Sequence, residues 1–154
     1  MIPEAKEKKL IENAAFLEAV KDTLDRGIDV KFTVTGMSMW PFFTSRRDSV
    51  TIKKCTFTEI GKGDIILFSP TTNTYLLHRV VKKTDSGFIT AGDGNTFRDG
   101  FFLPENVIAK VVEINRKEKI FSVKSKKFLI LSELWILLFP IRPLLLKILK
   151  RIAK

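Results

Sequence analysis

Between residues 29 and 122 the chain is cut into short β-rich runs by turn-forming residues, and this pattern excludes most architectures. The runs are VKFTVTG, SVTIKKCTF, GDIILFSP, TYLLHRVVKK, GFITAG, NVIAKVVEINR and KIFSV. Between them stand Gly61-Lys62-Gly63-Asp64, Pro70 to Asn73, Asp85-Ser86-Gly87, Gly92-Asp93-Gly94-Asn95 and Asp99-Gly100. Branched and aromatic side chains suit a pleated, half-buried surface, whereas Gly, Asn, Asp and Pro suit the dihedrals of turns. Strands this short and closely spaced predict a mainly β domain, either a barrel or a folded sheet. A parallel α/β sheet would need helical segments alternating with the strands, and that alternation is absent.

Two helical flanks are expected. In residues 1–28, Leu10, Ile11, Ala14, Leu17, Val20 and Leu24 recur at three- and four-residue steps over 4–26, the period of an amphipathic helix, with Gly27 as its stop. Charges at Glu4, Lys6, Glu7, Lys8 and Lys9 precede any apolar stretch, so no cleavable secretory signal is expected. Residues 123–154 form an apolar, basic helical tail. Its stretch FLILSELWILLFPIRPLLLKIL is interrupted by Glu133, Arg142, Pro140 and Pro143. Its longest uncharged run, Leu134 to Ile141, is far short of the roughly 20 apolar residues that a membrane span needs.

The charge of the chain lies in that tail. The net charge is +10, and residues 115–154 hold eleven Lys and Arg against two Glu, or nine of the ten excess charges. Beyond Leu144, Lys147, Lys150 and Arg151 stand beside Leu145, Ile148, Leu149 and Ile152, the profile of a helix lying in a membrane interface. A membrane-associated protein, peripheral or anchored at its C-terminal end through residues 128–154, is therefore expected. The alternative is a terminal helical hairpin covering the β-domain or a second copy. A nucleic-acid partner is not expected. The N-terminal region has room for one helix, too few for a helix-turn-helix, and the tail lacks the aromatic spacing of single-strand binders. Cys55 is the one cysteine, so no internal disulfide forms, and it reads as a small half-buried residue. No metal and no cofactor are expected.

Three segments carry chemistry. The first is Thr35-Gly36-Met37-Ser38-Met39-Trp40-Pro41. Gly36 permits unusual dihedrals and Pro41 stiffens the exit, so the turn can hold Ser38 with backbone N–H groups nearby as oxyanion donors. The second is Tyr75-Leu76-Leu77-His78-Arg79-Val80-Val81, which places the chain's one histidine inside an apolar strand. A strand holds a side chain rigidly, and free histidine titrates at about 6.5, suitable for a general base. The third is Gly92-Asp93-Gly94-Asn95-Thr96-Phe97-Arg98-Asp99, in which Asp93 or Asp99 could hold the imidazole in the correct tautomer. Each segment alone also has a plain structural reading: a turn serine, a core histidine, and an aspartate capping its own turn.

Taken in order, the segments resemble the type I signal peptidase family and its self-cleaving repressor relatives. Gly36-x-Ser38-Met39-x-Pro41 is similar to the nucleophile box. Gly63-Asp64-Ile65-Ile66 is similar to the strand start before the base, and Gly92-Asp93-x-Asn95 with Asp99 to the third box. The resemblance covers roughly residues 32–113. Housekeeping bacterial members have lysine before the Arg-Val pair. His78, followed by Arg79 and Val80, resembles instead the endoplasmic-reticulum, archaeal and sporulation-type branch, which uses Ser, His and Asp.

The resemblance implies a signal-peptidase-like β-domain and a serine endopeptidase that removes a leader or signal peptide from a precursor protein. It implies Ser38 as nucleophile, His78 as base and Asp99 as orienter. Gly36, Met39, Pro41, Asp93 and Arg79 support them. Phe32, Val34, Met37 and Leu76 are the candidates for shallow, apolar substrate pockets, by position. The chain departs from the family in its flanks, since a charged helix stands where a membrane anchor usually precedes the catalytic domain. Two other classes remain open: a repressor-like regulatory domain that cleaves itself or binds nucleic acid, and an inactive binding module that keeps the β-fold.

Overall fold

Turn residues and alternating apolar positions resolve into a mainly antiparallel β sheet with helices at both ends. The computed structural model describes the backbone of residues 4–154 and the side chains of residues 13–154. Helix α1 spans Glu4–Asp25, followed by β1 (Val30–Thr33), β2 (Asp48–Lys54), β3 (Ile65–Phe68), β4 (Leu76–Thr84), β5 (Gly87–Ala91), β6 (Gly100–Phe102), β7 (Val107–Arg116) and β8 (Lys119–Ser122). Helices α2 (Lys126–Leu137) and α3 (Arg142–Ile152) complete the chain, joined by a 3-10 turn at Phe139–Ile141. The sheet order is β1-β2-β7-β3-β4-β5-β6, with β8 also paired to β7. Strand β6 was not among the runs expected from the sequence. Three residues, one of them glycine, carry little strand signal of their own, and Gly100–Phe102 is extended because β5 supplies a partner from Phe88 to Thr90.

Strand β3 shows how the sheet divides the interior. All four of its residues are buried. Period-two alternation sends Ile65 and Leu67 into one core and Ile66 and Phe68 into another. The first core includes Val50, Ile52, Val111 and Ile114 and is roofed by α1 through Val20 and Leu24. Leu17, Val20 and Leu24 are the buried stripe of α1, as its period predicts, while Leu10 and Ile11 lie outside the described side chains. Gly27, at φ +77°, closes the helix with its N–H on the Leu24 carbonyl. The second core is aromatic, with Phe68, Phe88 and Phe102 in mutual contact at centroid distances of 4.8 to 5.8 Å.

The tail folds back on the sheet. Ser125 caps α2 by accepting from the Phe128 N–H. Pro140 and Pro143 end one helix and begin the next, leaving a 65° bend between the halves. Ser132, Trp135, Arg142 and Leu146 are the residues of this pair that become buried. No single helix among the described residues is long and apolar enough to cross a membrane.

Candidate active site

Strand β1 ends at Thr33, five residues before Ser38, and the chain leaves the sheet through a turn. Val34 extends the ladder by one bond to the Asp48 carbonyl. Gly36 then adopts φ +84°, a conformation that favours glycine, and its N–H is held by the Ser45 hydroxyl. The result is a loop with Ser38 half-buried at its tip, Met39 anchored in the core, and Pro41 on a cis bond after Trp40. The Ser38 N–H donates to no backbone acceptor among the described residues, which leaves a donor beside the hydroxyl.

His78 and Arg79 are neighbours on β4, so they project to opposite faces, and each meets one of the two aspartates. His78 Nδ1 lies 2.6 Å from Asp99 Oδ2, and both side chains are almost fully buried. Thr90, on the adjacent strand, donates its hydroxyl to the same oxygen at 2.7 Å. A carboxylate accepts, so the Nδ1 position carries the proton of this bond and Nε2 is the ring nitrogen left for another partner. The Asp99 N–H is itself fixed on the Thr90 carbonyl at 2.9 Å.

Arg79 takes the other aspartate. Its Nε and Nη2 donate to the two oxygens of Asp93 at 2.8 and 2.7 Å, a bidentate pair with side chains 0% and 1% exposed. Nη1 donates to the Gly63 carbonyl and to the Ser132 hydroxyl, and the guanidinium lies 4.4 Å from the Phe42 ring. One side chain thus ties together the Gly-Asp turn before β3, the exit of the Ser38 loop, the third box and α2. The Gly-Asp turn has its own lock, since the Asp64 carboxylate accepts from the Gly61 N–H at 2.9 Å.

The Ser38 loop and the third box touch backbone to backbone. Gly94 donates its N–H to the Ser38 carbonyl at 2.8 Å. A Cβ on Gly94 would stand 2.4 Å from the Met37 carbonyl oxygen, and one on Gly92 would stand 2.5 Å from that of Ser38. Both glycines are therefore required by close approach. Sequence alone suggested only a tight turn here. The tail holds the same loop from behind. Trp135 Nε1 donates to the Asp93 carbonyl at 3.1 Å, and Arg142 reaches the carbonyls of Gly92, Asn95 and Trp135 at 3.1 to 3.4 Å. Burial lowers the Arg142 pKa from its ordinary value, with Asp93 opposing that shift and Arg79 adding to it.

Ser38 and His78 line one cavity of about 380 Å³. Phe32, Val34 and Leu76 contribute apolar wall, as does Met39. Met37 does not line the cavity and is 56% exposed. Asn13 and Phe16 of α1 supply a wall that the sequence patterns did not indicate, with Phe16 packed on Phe32 and Tyr75 at 5.7 and 5.1 Å. The amphipathic stripe foretold a packed helix, but not that its flank borders this cavity. Among the described residues the Ser38 hydroxyl makes no hydrogen bond to the His78 ring, whose side-chain partner is Asp99. Cys55 lies apart, buried in the aromatic core, where burial pushes its thiol up to about 11. No family model matches this chain, and a search of the curated proteins returns no match.

Proposed function

We propose that this chain is a serine endopeptidase of the signal-peptidase type, acting on a precursor protein or peptide by acyl-enzyme chemistry. The observation that carries the reading is the 2.6 Å His78–Asp99 hydrogen bond in the wall of the cavity that Ser38 also lines. It supplies the base–orienter half of a Ser-His-Asp triad, and the shared cavity is where the nucleophile–base contact would form once a substrate enters. Ser38 Oγ attacks the scissile carbonyl carbon while Nε2 of His78 takes its proton. The tetrahedral oxyanion is met by the free Ser38 N–H. Its collapse breaks the C–N bond, and the imidazolium returns the proton to the leaving amine. Water, deprotonated by the same ring, then hydrolyses the ester on Ser38. Asp99 keeps Nδ1 protonated and stabilises the imidazolium without itself taking the proton.

The walls of the cavity suit an extended peptide. Among the described residues strand β1 is paired on one side only, by β2, so its other edge has backbone groups that can receive a substrate strand. Phe32, Val34 and Leu76 offer apolar contacts next to the nucleophile, consistent with small apolar side chains before the cut.

The test is covalent and direct. The purified chain is treated with a fluorophosphonate probe, and the labelled peptide is identified by mass spectrometry. A mixture of internally quenched peptides with small residues before the cut is offered in parallel. Label on Ser38, and cleavage that disappears in both Ser38→Ala and His78→Ala with unchanged circular dichroism, is the expected result. Normal turnover by either variant refutes the assignment. Absence of both label and cleavage in the folded wild type points to a binding module.

A further inference from the structure

We infer that the outer face of the α2–α3 pair is a docking surface for an anionic lipid bilayer. This inference stands apart from the peptidase reading and concerns the side of the tail that the β-domain does not cover.

The outward side chains form a seam. Ile130, Leu134, Leu137, Ile141, Leu144 and Ile148 follow one another at steps of three and four residues across both helices and the turn between them. Each is exposed, from 45% at Ile148 to 75% at Leu137. A run of large aliphatic residues left in water over two helices is uncommon on a monomer and marks an interaction face. Leu134, together with Leu131, also walls an apolar groove of about 420 Å³ beside Phe42, Phe121 and Phe128, so the apolar surface extends inward from the seam.

Charge identifies the occupant. The one acidic residue after Glu118 is Glu133, and Lys62 pairs with it at 3.2 Å. The remaining charges of the two helices are cationic: Lys126, Lys127, Arg142, Lys147, Lys150 and Arg151. Arg142 is buried in the loop contacts above, while the others are exposed. Two copies meeting through this face would oppose like charges. An anionic leaflet meets an apolar seam flanked by lysines with both attractions at once. The 65° bend and the cations along α3 suit a helix pair lying in the interface plane. Because Trp135 and Arg142 fasten the inner side to the 92–95 loop, docking would set the orientation of the cavity towards the lipid surface.

The full chain is sedimented with phosphatidylcholine vesicles, with and without phosphatidylglycerol. Binding only to the anionic vesicles, weakened by added salt, is expected. The double variant Leu137→Glu/Leu144→Glu changes two outward side chains, so its melting curve should match wild type while its vesicle partition falls at least about tenfold. Lys147→Glu/Lys150→Glu/Arg151→Glu should abolish the preference for anionic lipid. No binding to anionic vesicles overturns the inference, as does equal binding by wild type and the leucine variant. So does a lipid-free dimer in sedimentation velocity that the leucine variant dissociates, since the seam would then serve a second copy.

Discussion

Exchanging each of the two third-box aspartates for asparagine should separate scaffold from chemistry. Asp93 faces Arg79 with both side chains essentially inaccessible to water and two hydrogen bonds between them. Asp93→Asn leaves a buried guanidinium opposite a neutral amide, a loss of about 3–5 kcal/mol for a broken buried pair. A domain of this kind has about 5–15 kcal/mol in total. At roughly 2–4 °C per kcal/mol for a chain of this size, the melting temperature should fall by about 6–20 °C. Asp99→Asn keeps shape, and with its amide nitrogen at the shared site the Thr90 hydroxyl can turn to accept from it, so it should cost about 1 kcal/mol. The same amide donates to the ring and favours the wrong tautomer, with an expected turnover loss on the order of 10⁴-fold. Circular-dichroism melts give the first quantity. Cleavage of the quenched peptides, at a temperature where both variants are folded, gives the second. An Asp93→Asn protein that melts with wild type but is inactive, or an Asp99→Asn protein that turns over normally, would refute this division of labour.

Other consequences can be checked on the same protein. Gly94→Ala places a methyl 2.4 Å from the Met37 carbonyl oxygen and 2.9 Å from that of Trp40, both backbone, so the Ser38 loop must shift; kcat should drop about 10²-fold, as for a misplacement near 1 Å, and the melting temperature should fall with it. At Asp48, burial pushes the carboxyl up, but hydrogen bonds from Arg47, the Thr44 N–H and Arg116 outweigh it and hold the group below its ordinary value. Its stabilisation is therefore complete above the unfolded value of about 3.9 and is lost as pH falls through the lower folded one. Urea midpoints should decline across that acid range, and Asp48→Asn should flatten the decline; an unchanged slope would contradict it. The Cys55 thiol, pushed up to about 11 by burial, should resist iodoacetamide at mildly alkaline pH until the chain unfolds. Since its folded value exceeds the unfolded one, its contribution is complete below the unfolded value and is lost as pH rises through the folded one; rapid alkylation of the native protein would refute its burial.

Much of this molecule was legible in local chemistry. Alternation and turn residues marked seven of the eight strands, three- and four-residue steps marked α1, and the two prolines marked the break between α2 and α3. Those signals are local, because turn dihedrals and strand period depend on neighbours in the chain. The lone histidine, the serine turn and the third box could likewise be picked out as chemistry-bearing residues. Which aspartate meets His78 could not be read the same way. Asp93 and Asp99 stand in one loop, and the choice follows from alternation along β4, which turns His78 and Arg79 to opposite faces, and from β5, whose Thr90 fixes Asp99. The wall from Asn13 and Phe16, the exclusion of Met37 and the clamp from Ser132, Trp135 and Arg142 are also decisions of the tertiary structure. They join residues far apart in sequence, and only the packing of whole elements brings such groups within hydrogen-bonding distance.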